Sequence, residues 1–341
     1  MKKILKKINL EYFILSIILL FGLYLRIYNL GSSVFWIDET ISTLASNAIL
    51  EKGIPLLDSG MLYARAYFFH YLQAFFLMFS NTEFFARIVS VIFGLLTVLL
   101  GYKIGKEYSK SGGLICALFL AIFYLEVFYS RQARFYQLFQ LMFFLSTYLL
   151  YKAKENKKYF IYAIIALIIT LDTQTAGLVL VPFFFLYLLI YFKSKWKYLS
   201  FLLAIPFIPK FLGALDLSAD SSFSFVNYFN KYLTYVLNFK YLFFLFVPGV
   251  IWGFMKKKRL TFLILAPALI LLTGVFGLKV FAFRYAYFFI FPLILYSSLF
   301  VSFLYEKYGN IILVVLLFLI IFPSNLVFPF TYVTLLKPVD A

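Results

Sequence analysis

The chain has little with which to make a water-facing surface. Of its 341 residues only 13% are charged, while 64% are hydrophobic and 23% aromatic. Soluble domains carry about 25% charged and about 45–50% apolar residues. That deficit excludes a soluble globular enzyme, and the excess of apolar residues excludes a disordered regulator. Cysteine is nearly absent: Cys116 stands alone and has no partner within the chain, so no disulfide scaffold is possible. Histidine is represented by His70 alone. No glycine-rich phosphate loop, Walker motif or metal-ligand spacing is present, which argues against an ATP-driven pump. Collagen-like repeats are missing as well.

Continuous apolar runs of the length that crosses a bilayer, roughly 20 residues, recur along the chain. They do not alternate as barrel strands do. The net charge of +17 comes largely from lysines between these runs: Lys103 to Lys110, Lys152 to Lys158, Lys193 to Lys197, Lys256 to Arg259 and the weaker Glu306-Lys307. Basic residues in that pattern are topology signals rather than a nucleic-acid surface. Lys2, Lys3, Lys6 and Lys7 precede an apolar stretch too long for a signal peptide, with no small-residue cleavage site after it. It reads as a first span with a cytoplasmic N-terminus.

If all lysine breaks are cytoplasmic, the segments between them are helix pairs turning on the outer side. About eleven spans result, at roughly 10–28, 88–104, 113–130, 136–151, 159–175, 177–192, 198–214, 239–255, 260–277, 283–303 and 310–327. The fold expected is an all-α polytopic bundle forming one integral membrane domain over 1–341. A first outer loop occupies 29–87, a second about 215–238, and no C-terminal soluble domain follows. Residues 66–80 are apolar but short, and are expected to lie along the membrane surface; counting them as a span gives twelve.

The arginines do not follow the lysines. Arg259 is cytoplasmic, but Arg26, Arg65, Arg87, Arg131, Arg134 and Arg284 fall at or near the outer face, against the positive-inside tendency. Guanidinium groups grip phosphate and carboxylate in a bidentate way, so an anionic partner is expected there. Acids gather on the same side, beginning with Asp38 and Glu39. Charge at a membrane interface is paired or functional, and the combination suggests chemistry on a phosphate-bearing lipid. Each group also has a plainer role: the two acids as caps of a surface helix, Arg26 paired with a loop acid, Arg87 with Glu83, Glu126 with an arginine.

The order of motifs is Phe35-Trp36-Ile37-Asp38-Glu39-Thr40, then Tyr63-Ala64-Arg65, His70-Tyr71-Leu72-Gln73, Asn81-Thr82-Glu83-Phe84-Phe85-Ala86-Arg87 and Ser130-Arg131-Gln132-Ala133-Arg134-Phe135-Tyr136, with Arg284-Tyr285 late. This set resembles the membrane glycosyltransferases of the GT-C fold, in particular the protein O-mannosyltransferases and lipid A aminoarabinose transferases (glycosyltransferase family 39 and its relatives). The resemblance covers residues 20–150 well and the rest in general architecture.

It implies a GT-C-like bundle with surface-lying helices in the first outer loop. It also implies transfer of a sugar, with inversion, from a polyprenyl-phosphate donor to an acceptor hydroxyl on a protein, lipid or glycan at the non-cytoplasmic face. Asp38, with Glu39, matches the acidic pair, Asp38 as general base. Arg65, His70, Arg87, Arg131, Arg134, Tyr136 and Arg284 match donor and lipid-phosphate contacts. The late histidine of the family is missing, and Asp172-Thr173-Gln174-Thr175 stands near its place. A divalent metal is left open, with Glu39, His70 and Asp172 as candidate ligands. The lysine-, isoleucine- and phenylalanine-rich composition points to an AT-rich genome, with bacterium and archaeon both open; the expected location is the plasma membrane of a prokaryote. From another class, a transporter or flippase of an anionic lipid-linked sugar would need charge deep in the spans, where Glu126 is the main example.

Overall fold

The computed structural model describes residues 2–191, 240–276 and 283–309. The expected spans at 198–214 and 310–327 and the second outer loop at 215–238 lie outside the described residues. The elements in order are α1 (Lys2–Ile27), α2 (Ile37–Lys52), α3 (Tyr67–Leu77), α4 (Glu83–Tyr108), α5 (Lys110–Ile122), α6 (Tyr124–Ser130), α7 (Tyr136–Lys152), α8 (Lys158–Thr173), a 3-10 segment at Thr175–Val179, α9 (Leu180–Tyr191), α10 (Lys240–Phe276), two 3-10 turns at Phe283–Tyr285 and Tyr287–Phe289, and α11 (Ile290–Tyr308). Among the described residues the structure is helical, with one isolated antiparallel bridge, Leu56 to Leu62, in the first loop.

Among the described residues, four stretches are long and apolar enough to cross a membrane: Leu10–Ile27, Glu83–Tyr108, Leu242–Val275 and Tyr287–Tyr308. The expected span at 113–130 is built of two helices, α5 and α6, bent by 60°. Phe123 between them is extended (φ −61°, ψ 126°), so the backbone ladder is interrupted without a proline or glycine to announce it. α10 has 37 residues, about 55 Å at 1.5 Å per residue, which exceeds a hydrocarbon core of about 30 Å. It is two helices meeting at Lys257, whose φ of −141° and ψ of 60° leave the helical region, within the Lys256–Arg259 run.

Close helix approach builds the core. α4 and α5 touch through glycine faces: a Cβ on Gly105 would stand 2.6 Å from the Gly112 carbonyl, and one on Gly113 would stand 2.8 Å from that of Tyr102. Lipid tails are as apolar as leucine, so such packing, rather than exclusion from water, holds membrane helices together.

The first loop is organised by α2 and α3. α3 spans only 11 residues, about 16 Å, too short to cross a bilayer. It buries Phe69, His70, Gln73, Ala74 and Leu77 and leaves Phe68, Tyr71 and Phe75 exposed, as is Met78 just beyond its end. Its N-terminus is pinned from the end of α8. The Asp172 carboxylate accepts the amides of Tyr67 (3.2 Å) and Phe68 (3.0 Å), and the Asp172 carbonyl accepts that of Ala66 (3.0 Å). Those bonds satisfy orphan helix donors and hold Ala66 at a left-handed φ of 52°.

Candidate functional site

Helix ends and their unpaired carbonyls decide where the arginines go. The break after α5 strands the carbonyls of Leu120 and Ala121. Arg26, fully buried near the end of α1, donates Nη1 to Ala121 (2.7 Å) and Gly22 (3.0 Å) and Nη2 to Leu120 (3.1 Å). Arg131, at the end of α6, does the converse. Its Nη1 reaches the carbonyls of Leu25 (3.1 Å), Arg26 (3.2 Å) and Tyr28 (2.7 Å), and Nη2 that of Asn29 (3.3 Å). Arg26 thus caps α5 and Arg131 caps α1, each at the helix's negative dipole end. Burial and the like charge of Arg87 push the Arg131 guanidinium down to about 10, which leaves it cationic at neutral pH. The loop acid expected beside Arg26 is replaced by these carbonyls.

The two acids of the first loop part company. Helix α2 starts at Ile37, so Asp38 and Glu39 both lie in its first turn, where negative charge suits the helix dipole. Glu39 turns inward and is buried. Its Oε1 accepts Arg87 Nε (2.9 Å) and the Ala133 amide (2.7 Å); its Oε2 accepts Arg87 Nη2 (2.9 Å) and the Trp36 amide (3.3 Å). Arg87 gives its remaining donors to the carbonyls of Leu30 (2.8 Å), Ser33 (2.9 Å) and Val34 (3.3 Å). The expected pair with Glu83 is not made; Arg87 ties α4 to the descending first loop. All five of its N–H groups are occupied within the protein, so it presents none to a lipid phosphate. Glu39 is equally enclosed, which separates it from the acceptor chemistry expected of the acidic pair.

Asp38 faces the other way, with its side chain 19% exposed. Its Oδ2 accepts the Tyr136 hydroxyl at 3.2 Å and lies 3.3 Å from Arg284 Nη1. Its backbone carbonyl accepts Arg134 Nη1 at 3.0 Å; the same nitrogen reaches Ser42 Oγ (2.7 Å) and Tyr63 Oη (3.3 Å). Arg134 also lies over the rings of Phe135 (4.5 Å) and Tyr136 (5.5 Å). Burial opposes its charge, but Tyr136, Tyr63 and Asp38 outweigh that and raise its pKa above the usual value. Arg284 is 30% exposed and stands over Trp36 (5.7 Å) and Tyr285 (5.5 Å). Beside this group is a cavity of about 10 Å³ lined by Tyr136, Phe139, Gln174, Arg284, Tyr285, Tyr287 and Phe288, room for about one water. Arg65 is exposed and lies 5.9 Å over the Phe135 ring.

His70 is placed differently from the expectation of a phosphate or metal contact. It is fully buried, edge-on to Tyr63, Phe69 and Phe135, with Nδ1 3.4 Å from Ser46 Oγ. Burial and the nearby Arg134 push its pKa down to about 3, so the ring is neutral and offers no charge to an anion. The metal trio is not assembled either. Glu39 is engaged by Arg87, Asp172 by the start of α3, and His70 by its aromatic cage. Among the described residues no group of three or more His, Cys, Asp or Glu side chains is gathered for an ion. The residues present do not fit the expected site.

The structure therefore brings Asp38, Tyr136, Arg134 and Arg284 together, and it adds Trp36, Gln174 and Tyr287, to which the sequence reading assigns no role. Tyr287, three residues beyond Arg284, and the polar pair Gln137 and Gln140 inside α7 carried a usable signal, because polar groups inside spans are seldom idle.

The family model of the dolichyl-phosphate-mannose-protein mannosyltransferases matches residues 65–212. The match contains Arg65, Arg87, Arg131, Arg134 and Tyr136 and begins after Asp38. No curated protein matches the chain by sequence. Solved structures do. The oligosaccharyltransferase of Archaeoglobus fulgidus in complex with zinc and sulfate superposes with a TM-score of 0.63 at 19% identity, over 94% of this chain and 52% of that one. The same archaeal enzyme with an inhibitory peptide and a dolichol-phosphate gives 0.62 at 18% identity, over 96% and 55%. With a tethered acceptor peptide containing an NVT sequon it gives 0.59 at 18% identity, over 87% and 50%. The chain spans about half the length of these proteins. It has their GT-C fold, as its ordered motifs imply, and it is an integral membrane protein.

Proposed function

We propose that the chain is a glycosyltransferase that takes a sugar from a polyprenyl-phosphate donor and passes it to an acceptor hydroxyl at the outer membrane face, with inversion. The observation that carries this reading is the Asp38 carboxylate, partly open and held by Tyr136 and Arg284 at the edge of a cavity, on a fold shared with an oligosaccharyltransferase solved with dolichol-phosphate. The family match to mannosyltransferases supports the donor class.

In the proposed step the acceptor O–H gives its proton to Asp38 as its oxygen attacks the anomeric carbon. The carbon–oxygen bond to the phosphate breaks, and the polyprenyl phosphate leaves with the electron pair. The developing negative charge needs a cation in place. Arg284 lines the cavity and also touches Asp38, so it can serve both; Arg65, exposed beside Phe135, is the second candidate. Arg87, Arg131 and Arg134 hold the frame: Arg87 anchors the loop, Arg131 caps α1, and Arg134 fixes the Asp38 backbone. A cytoplasmic N-terminus, a prokaryotic plasma membrane, and a protein, lipid or glycan as acceptor belong to the same reading. A transporter would need charge along a path, whereas Glu126 is enclosed and fully bonded.

The test is transfer of labelled sugar from synthetic polyprenyl- and dolichyl-phosphate donors by the purified chain in liposomes. Label leaving the lipid for a water-soluble or protein acceptor is the expected result. Movement of intact donor between leaflets, with no transfer to any acceptor offered, would overturn the assignment in favour of transport.

A further inference from the structure

Glu126 on α6 is fully buried in the bundle. An ionisable group there is costly unless it is paired and useful. Its Oε1 accepts Gln140 Nε2 at 2.8 Å; its Oε2 accepts the Tyr287 hydroxyl at 2.8 Å and Gln137 Nε2 at 3.4 Å. The Tyr287 oxygen is also 2.6 Å from Gln137 Oε1 and 3.2 Å from Gln140 Oε1. Gln137 Nε2 continues to Thr97 Oγ1 at 2.9 Å on α4 and to Gln140 Oε1 at 3.0 Å. The buried Arg26 supplies opposite charge to Glu126. Side chains from α6 and α7 thus converge on one hydroxyl, with Thr97 of α4 behind Gln137, and the Tyr287 ring lies 4.1 Å from that of Tyr129.

That hydroxyl belongs to the segment that presents Arg284. Two 3-10 turns, Phe283–Tyr285 and Tyr287–Phe289, are separated by Ala286 alone, and Arg284 and Tyr287 line the same cavity. A short turn has few internal bonds with which to hold its own register, so an outside anchor sets it. Apolar packing could seat an aromatic ring here; a directional bond to a fixed acceptor oxygen also sets its rotation and depth.

The geometry points to Glu126 as a positioning residue: by holding the Tyr287 hydroxyl it fixes the 283–289 segment, and with it the place of Arg284 beside Asp38. The consequence for donor binding rests on the glycosyltransferase reading above; the consequence for the segment's order does not.

Tyr287→Phe in the full-length protein is the mild probe, since it keeps the ring and removes only the hydroxyl. Its expected effect is a donor KM raised roughly 10-fold or more, the scale of changes in groups that orient a ligand contact, with kcat at saturating donor changed much less. Glu126→Gln keeps an acceptor oxygen for Tyr287 and should retain most of the wild-type KM. In an Arg284→Ala background, Tyr287→Phe should add nothing further. Amide hydrogen exchange without donor should quicken at 283–289 in Tyr287→Phe and stay unchanged in α4 and α7. An unchanged KM with unchanged exchange would overturn the proposal, and so would exchange that rises evenly through the bundle. If the wild type transfers no sugar, the enzyme reading fails, and the exchange experiment still decides the positioning role.

Discussion

The Glu39–Arg87 pair offers the sharpest energetic test of how the first loop is held. Both side chains are buried, with side-chain exposures of 3% and 4%, and they meet through two 2.9 Å bonds. Removing one partner of such a pair costs about 3–5 kcal/mol, because the other charge stays behind in a poor solvent. Glu39→Ala also takes the acceptor from the amides of Ala133 and Trp36, and an orphaned buried donor costs about 1–3 kcal/mol. The single variant should therefore lose about 4–6 kcal/mol, partial relaxation keeping the two contributions from adding in full. Arg87→Met should lose about 3–5 kcal/mol, leaving the carboxylate with two backbone donors. The double variant has no stranded charge, so its loss should fall short of the sum by at least about 2 kcal/mol, within the range seen for coupled neighbours. Equilibrium unfolding in mixed micelles measures all four corners of the cycle. Additive losses, or an Arg87→Met protein within about 1 kcal/mol of the wild type, would refute the view that this pair anchors the loop.

Other consequences follow from the same contacts. His70 folds as the neutral ring, with its pKa moved from 6.5 down to about 3, so the unfolded chain takes up the proton first. Its contribution to stability is whole above about pH 6.5 and is lost as pH falls towards 3, at up to about 1.4 kcal/mol per pH unit; His70→Gln should flatten the acid side of the stability–pH curve, and an unchanged slope would contradict the buried placement. Asp172→Ala removes the cap of α3 and should cost about 0.5–2 kcal/mol, visible as faster amide exchange at Tyr67 and Phe68. Tyr136→Phe leaves the Asp38 carboxylate without one of its two side-chain partners and should lower kcat/KM by roughly 10-fold, about 1.4 kcal/mol, with thermal stability close to the wild type.

Much of this architecture was legible in the residues. Lysine runs marked the breaks at Tyr108–Lys110, Lys152–Lys158 and Lys257, because basic residues stop at the membrane surface. The short apolar run 66–80 was expected to form a helix that does not cross, and α3 has that length. Asp38 stood out by its place in an ordered set of motifs, and the GT-C fold that those motifs imply is the one found. The partners of the arginines were not legible. Arg26 and Arg131 bind carbonyls that exist as acceptors only because α1 and α5 end where they do, and the end at Phe123 has no proline or glycine to mark it. Arg87 passes over Glu83, four residues away on its own helix, for Glu39, because a buried bidentate bond with three further carbonyls outweighs a solvent-screened helix pair worth about 0.2–0.5 kcal/mol. His70 matched a donor contact through the family resemblance, with a structural histidine equally open; its neighbours, supplied by separate segments, bury it in an aromatic cage.

In the proposed reaction Asp38 takes the acceptor's proton while the buried frame around it stays intact. Single-turnover sugar transfer from a polyprenyl-phosphate donor, compared between the wild type and Asp38→Asn in the same liposomes, tests it directly. Asparagine keeps the size and can still accept from Tyr136, but it cannot take up the proton. Transfer should fall by roughly 100-fold or more, with donor binding and thermal stability near the wild type. An Asp38→Asn protein that is folded, binds donor and transfers sugar at the wild-type rate would contradict it.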